Sequence, residues 1–532
     1  MAELAVDQPR LLKTMRWWDG FIIGLANPGF LLAGLAGSVV TLGPKWAAII
    51  WFSSAVVGAL QAYVYAEPAA MFPDKSGGLS MYAKEGWRKH FSLAGPIATF
   101  GYWFAWSSVL AIYGGIIGTL LLSRFWPEKL ADELLITQIG FIDVTWPRVI
   151  GAVCIASCFI FNIRGMRPAV WFSYVTGAMM IIPVLALAII PLLNGDITSH
   201  ALNISLIEPS VIFYNESTAT SASTFSQAAM IIVWFWVIAW STYGPEAPAT
   251  FAPEFVDTRN DTRWAIASTG ALNVVLSLLL PLTIVGVLGV GTIAADTTFI
   301  AYITTALDEV VGETLGGLFV VFVCGGLLLS MNTATMDGSR ALYGMAREGL
   351  TFRQLDRLNA HSVPSRAMTV DMVLNLGLLF IAPTLLFTLV AGNIGYVLSH
   401  VFALSGFLLL RRDRPDWPRP LRHGPIWIVV CWICLAVNVI GTVFGVIWIH
   451  YTGYLYKATD SALGYDVKFY APAAIITGLL VLVVGVVGYI VGQRQHGKKF
   501  SWKDLSEEEP SPEVYALMAA PGASAAPAAA GD

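Results

Sequence analysis

Twelve separate stretches of this chain are each long and apolar enough to cross a bilayer, and no other feature restricts the fold as much. A bilayer helix needs about 20 mostly apolar residues. The stretches fall near 17–42, 46–70, 94–123, 146–163, 168–194, 225–252, 264–292, 311–345, 366–384, 386–410, 425–449 and 470–492. Main chain in lipid must satisfy its own hydrogen bonds, so helices are expected throughout. Composition agrees. Charged residues are 12% of 532 and hydrophobic residues 56%, against roughly 25% charged in a soluble domain. So few charges cannot keep a surface of this size wet. A soluble enzyme, a nucleic-acid binder and a disordered chain are therefore excluded.

A net charge of −4 points to no polyanionic partner. Five Cys, four of them inside apolar runs, make no disulfide framework. Cys154/Cys158 and Cys431/Cys434 have helical spacing and read as packing residues. The first 16 residues lack the apolar core of a cleaved signal peptide.

Basic residues give an orientation. With the N-terminus inside and the spans alternating, 25 of the 31 Lys and Arg fall on the inner side. Only Lys45, Arg124, Lys129, Arg148, Lys457 and Lys468 stay outside. This asymmetry is that of the positive-inside rule. It places both termini in the cytoplasm of a protein of the cell membrane. Residues 1–16 read as a cytoplasmic segment and 17–492 as the twelve-helix domain. Residues 493–532, acidic and then rich in Ala, Pro and Gly, read as a largely disordered cytoplasmic tail.

Two spans carry helix breakers at mid-depth. The first reads Gly24-Leu-Ala-Asn-Pro-Gly-Phe30 and the sixth reads Trp240-Ser-Thr-Tyr-Gly-Pro-Glu246. Pro removes an N–H and Gly loosens the backbone. Broken helix is tolerated in lipid only where it lines a cavity or is packed in protein. The breaks lie five spans apart, so the two helices run in opposite directions. Paired breaks of this kind point to an inverted five-plus-five repeat with a site near the midplane. The repeats would be 17–194 and 225–410, with two further helices at 425–492. A six-plus-six arrangement would not offset the breaks by five.

Four segments resemble the amino acid–polyamine–organocation transporters, which share the leucine-transporter-like fold. They are the broken first helix, Tyr65-Ala-Glu-Pro through Gly77-Gly-Leu-Ser-Met-Tyr82, Gly244-Pro-Glu246 with the charged run Asp257–Arg263, and Ser339-Arg-Ala-Leu-Tyr-Gly-Met-Ala-Arg-Glu-Gly349. The resemblance implies substrate contacts at Ala26, Asn27, Pro28, Gly29 and Phe30, and at Trp240, Ser241, Thr242 and Tyr243. Where relatives often carry a Gly-Ser-Gly-like triplet, this chain has Pro28-Gly29-Phe30. Pro28 supplies no N–H and Phe30 adds bulk, so an amine stands beside an α-amino acid as cargo.

Aromatic residues crowd the expected site. Trp240, Trp103 and Trp106 are gate candidates, and Trp240 matches a tryptophan that closes over substrate in relatives. Aromatic faces attract cations by about 0.5–2 kcal/mol. Glu246, just past the sixth-span break, is the proton-coupling candidate, because a carboxyl out of water can take up and release a proton. Glu67 is expected to pair with a basic loop residue, and Asp19 and Asp337 to form structural pairs. His400 reads as a packing residue. The fifth span has no Lys where some proton-coupled relatives have one; Met180 stands there. Ser330, Asn332, Thr333 and Thr335 offer oxygens to Na⁺, or simply hold helices together. No metal-ligand spacing, phosphate loop or cofactor motif is present.

These features predict a non-enzymatic secondary transporter of a small amino compound. It works by alternating access, with H⁺ preferred to Na⁺ as the coupling ion. An exchanger is the alternative within transport, and a ligand sensor that moves nothing is the alternative outside it. Substrate identity, symport against antiport, and oligomeric state are left open.

Overall fold

The computed structural model describes residues 11–26, 28–127, 135–140, 142–195, 224–296, 300–382, 385–449, 470–506 and 508–519. Of Pro28, Gly29 and Phe30 only the main chain is described, and Asn27 lies outside the described residues.

In chain order the helices are α1 (Trp17–Gly24), α2 (Pro28–Leu42), α3 (Pro44–Val64), α4 (Ala66–Met71), α5 (Gly78–Trp87), α6 (Ala94–Ser107), α7 (Val109–Phe125), α8 (Trp146–Ile163) and α9 (Met166–Asn194). There follow α10 (Thr224–Thr242), a 3-10 segment (Gly244–Glu254), α11 (Thr258–Ala295), α12 (Tyr302–Val311), α13 (Glu313–Arg347), α14 (Ser365–Ile381), α15 (Leu385–Asp413), α16 (Ile426–Ile447), α17 (Tyr470–Gln495) and α18 (Pro512–Ala519). A small hairpin, β1 (Leu135–Ile139) and β2 (Ile142–Thr145), pairs antiparallel ahead of α8. The hairpin and α12 were not expected from hydropathy, since neither is long or apolar enough to register.

Among the described residues, ten helical stretches are long and apolar enough to span a membrane. They coincide within a few residues with ten of the twelve expected stretches. The remaining two explain themselves. The first stretch is divided into α1 and α2, of 8 and 15 residues, and α14 has 17 residues. Large apolar side chains such as Trp171, Leu193, Trp432 and Val483 are exposed along these helices, as a lipid-facing surface requires.

Both expected breaks are present. α1 stops at Gly24 and α2 starts at Pro28, so Pro28 holds the first helical position, where a missing N–H costs nothing. α10 continues through Thr242, and the chain then runs on as a 3-10 segment rather than a second α-helix. Pro245, Pro248 and Pro253 account for this, because each removes a donor from the ladder. α3 backs the second break through Gly58. A Cβ there would lie 2.2 Å from the Thr242 carbonyl oxygen.

The polar end of the bundle that carries the basic loops is tied by ion pairs. The Glu85 side chain is fully buried among Lys75 at 2.8 Å, Lys84 at 2.5 Å, Arg414 at 2.8 Å and Arg88 at 3.7 Å. Burial alone would push its carboxyl up, but Lys84, Lys75 and Arg414 outweigh burial and hold it well below the usual carboxylate range. Part of the stretch expected to be a largely disordered tail makes ion pairs with this end of the bundle. Asp504 pairs with Arg88 at 3.0 Å, Glu508 with Arg88 at 2.5 Å and with Lys75, and Glu513 with Lys13 at 2.9 Å. Acidic composition that reads as disorder in isolation finds a basic surface here.

Two predictions follow from this packing. Glu85→Ala leaves four cations facing one another and is expected to cost about 3–5 kcal/mol, read as thermal unfolding of the detergent-solubilised protein. Because the folded carboxyl sits low, its contribution is complete above the ordinary carboxylate range and is lost only as pH falls through the lowered value. Gly58→Val is expected to cost about 1–3 kcal/mol by overpacking. Gly377→Val, where a Cβ meets nothing within 4 Å, is the control that should unfold close to the unmodified protein.

Candidate functional site

A helix break frees carbonyls on one side and N–H groups on the other. At the first break, the Ala26 carbonyl accepts from the Ser330 hydroxyl at 2.5 Å, and the Ile23 carbonyl accepts from Thr333 at 3.0 Å. Both hydroxyls come from α13, three residues apart and so on one face. At the second break, the Thr242 carbonyl accepts from the Asn273 amide of α11 at 2.9 Å. Six residues earlier in α10 the Trp236 carbonyl accepts from Asn393 of α15 at 2.6 Å. α2 begins at Pro28, so the N–H groups of Gly29, Phe30 and Leu31 have no carbonyl partner inside their own helix. The doubt raised by Pro28 is thereby reduced: the lost donor is at the one position that helices spare.

The two breaks meet at one small cavity, lined by Ala26, Ala105, Trp106, Val109, Tyr113, Trp240, Ser241, Ser330 and Tyr396. Trp240 stands edge-on to Tyr113 with ring centres 6.2 Å apart. The cavity is therefore an aromatic box with Tyr113, Ser241, Ser330 and Tyr396 as its hydroxyl-bearing wall residues.

Glu246 lies directly behind this box. Its Oε1 accepts from the Tyr396 hydroxyl at 2.7 Å and from the Trp106 indole N–H at 3.2 Å. Tyr396 and Trp106 are both cavity-lining residues, so anything that moves them is felt at the carboxyl. Glu246 is 1% exposed, and its Oε2 has no hydrogen-bond partner among the described residues.

The expected site residues divide. Ala26, Trp240, Ser241 and Trp106 line the cavity. Thr242 and Tyr243 do not: Thr242 Oγ1 is 2.7 Å from Ser54 Oγ, and Tyr243 packs edge-on against His400 at 5.1 Å. The helix runs one residue too far for them, which turns their side chains toward α3 and α15. Trp103 does not line the cavity either; its indole N–H donates to Asp371. Tyr113, Val109, Ala105 and Tyr396 were missed. Trp106 was legible, and Val109 and Tyr113 follow it at helical spacing, which could have found them.

Other expectations resolve as follows. Glu67 pairs with Arg411 and, at 3.2 Å, with Arg419. Asp19 accepts from the Arg16 main-chain N–H at 2.7 Å and from Tyr174 at 2.8 Å. His400 Nδ1 meets the Tyr65 hydroxyl at 2.9 Å inside an aromatic cluster. Asn332 donates to the Ala169 carbonyl and Ser173, and Thr335 to the Met331 carbonyl. Ser330, Asn332 and Thr333 therefore donate to neighbouring segments, and Thr335 donates back to its own helix. Asp337 departs from expectation: it forms no ion pair among the described residues, because Arg340 pairs with Glu254, and its carboxyl faces the Tyr102 and Thr250 hydroxyls instead. No group of His, Cys, Asp and Glu suited to a metal ion occurs among the described residues.

Comparison with known proteins agrees with the fold. The D-serine/D-alanine/glycine transporters of Escherichia coli K12 and O157:H7 are each 26% identical over 115 residues, which is 20% of this chain and 24% of the relative. The match thus spans about a quarter of the length of these relatives. The family described as amino acid permease matches residues 16–454, from the start of the first broken helix to beyond α16. The chain belongs to the amino acid permease family, the one its broken helices and loop motifs resemble.

Proposed function

We propose that this chain is a secondary active transporter, not an enzyme, that carries a small neutral amino acid across the membrane by alternating access with a proton as coupling ion. Twelve spans in two inverted repeats, with both termini in the cytoplasm, give the architecture. The observation that carries the reading is the cavity shared by the two breaks with Glu246 pinned behind it by two of its own walls.

The chemistry follows from the geometry. A substrate carboxylate is drawn to the free N–H groups and positive end of α2. The substrate ammonium faces the aromatic rings of Trp106, Tyr113 and Trp240. The cavity is too confined for a long side chain, which favours cargo of the size that the E. coli relatives' names describe. Substrate binding presses on Trp106 and Tyr396 and so alters the surroundings of Glu246. A carboxyl with one bare oxygen out of water prefers to hold a proton and yields it when water reaches it. Na⁺ is disfavoured because the Ser330 and Thr333 hydroxyls already donate to the carbonyls a cation would need.

Uptake of glycine, alanine and serine (both enantiomers) into proteoliposomes tests this. Accumulation is expected under an inside-alkaline pH gradient and not under an inward Na⁺ gradient. The opposite result sinks the proton reading, and no uptake of any of them sinks the transport reading. Counterflow unaffected by either gradient would establish the exchanger instead. Gly29→Trp should abolish uptake while leaving the melting temperature within a few degrees. Trp240→Ala should raise KM roughly 3- to 30-fold, the equivalent of losing one aromatic contact to a cation. Glu246→Gln should lose gradient-driven accumulation and keep most counterflow.

A further inference from the structure

A second group of carboxyls sits outside the substrate cavity. α6 carries two indoles three residues apart on one face, and each donates to a different buried acid: Trp106 to Glu246 at 3.2 Å, Trp103 to Asp371 of α14. Asp337 of α13 is the third buried acid here. Asp337 and Asp371 are both fully buried. Among the described residues the donors that approach the Asp337 carboxyl are the Tyr102 and Thr250 hydroxyls, and Oδ2 of Asp371 has no hydrogen-bond partner. At Gly338, next to Asp337, a Cβ would lie 3.4 Å from Asp371 Oδ2 and 3.4 Å from Trp103 Cδ1, so α13 packs closely on α14 and α6 here.

The neighbouring cation, Arg340, attracts the Asp337 carboxylate but spends its hydrogen bonds elsewhere. Arg340 directs Nε and Nη2 to Glu254, and Nη1 donates to the Met336 carbonyl at 3.0 Å. The titratable and charged groups facing the pair are Tyr102 of α6, Arg340 of α13, Glu246 and Glu254 of the 3-10 segment, and Tyr396 of α15. Tyr102 links the two regions. Its hydroxyl is 3.3 Å from Thr250 Oγ1, and its ring lies 6.0 Å from that of Tyr396, which holds Glu246.

An ionised carboxyl out of water with no cation hydrogen-bonded to it is strongly disfavoured. The ligand such a group calls for is a proton. Building on the proton-coupled reading, we propose that Asp337 and Asp371 form a second proton-holding station, joined to Glu246 through Tyr102 and Tyr396. One proton moves at each transfer. The acid O–H breaks as the O–H on the receiving carboxylate forms, and a tyrosine between them passes on its own proton and takes the arriving one. The acids lie on four-way packing between the 3-10 segment and α6, α13 and α14. Displacement of the segment against those helices during alternating access changes which station holds the proton.

The test uses full-length protein in proteoliposomes with a trapped pH dye, and whichever of glycine, alanine or serine the unmodified protein takes up. Asp337→Asn and Asp371→Asn are each expected to cut substrate-driven proton influx at least tenfold and to flatten its pH profile. Counterflow, which needs no net proton movement, should fall less than threefold. Asp337→Glu, which restores a carboxyl, should recover influx. Influx kept at the unmodified ratio, or counterflow lost in parallel with it, overturns the second station. If the unmodified protein itself shows no substrate-driven proton influx, the proton-coupled reading fails and the station with it. Should an Asn variant not give monodisperse protein, Tyr102→Phe carries the test. It should slow influx at least threefold, and unchanged influx overturns the link.

Discussion

Main chain that leaves its helix inside hydrocarbon must find partners, and the rest of this molecule is organised around that requirement. At the two breaks the partners are few and specific. Ser330 and Thr333 serve the first break, and Asn273 serves the second. These side chains sit on the packing faces of α13 and α11. The breaks also fix where a cavity can exist, because side chains that would fill the gap of an unbroken helix are absent there.

The same requirement explains why the carboxyl that serves the cavity is held by cavity walls. Glu246 follows the second break by a few residues, so its position depends on the 3-10 path that the three prolines impose. Tyr396 and Trp106 then hold it from α15 and α6. In the proposed mechanism, substrate contact and proton occupancy influence each other through these two side chains. Away from the cavity, electrostatics is arranged oppositely. Glu85 and Glu67 are surrounded by cations and tie loops and tail together. Glu246, Asp337 and Asp371 form no ion pair among the described residues, whereas Glu254, Glu67 and Glu85 do; the proposed coupling uses the first group, and the second is a fixed scaffold.

Much of the helical plan was legible because hydropathy acts on every residue in a span. Ten stretches matched to within a few residues, and a single misplaced side chain could not have shifted them. The breaks were legible because Gly24, Pro28, Gly244 and Pro245 act on their own backbone. The site was legible only in part. Trp240 and Ser241 were found from their nearness to the break, but Thr242 and Tyr243 point elsewhere because α10 extends to Thr242. Where a helix stops to within one residue decides which way a side chain faces, at about 100° per residue. Tyr396 lies some 150 positions from Glu246, and nothing local announces that they touch.

The sequence by itself determined that the chain lives in a membrane, which stretches are helical and where two of them give way. Those properties follow from each residue's own transfer energy and backbone preference. Tertiary structure alone decided which acids are paired and which are bare. Asp337 stands three residues before Arg340, a spacing that suggests a pair, yet Arg340 reaches across to Glu254 instead. Charge pairing depends on distance between helices far apart in sequence, and only the packed bundle sets that distance.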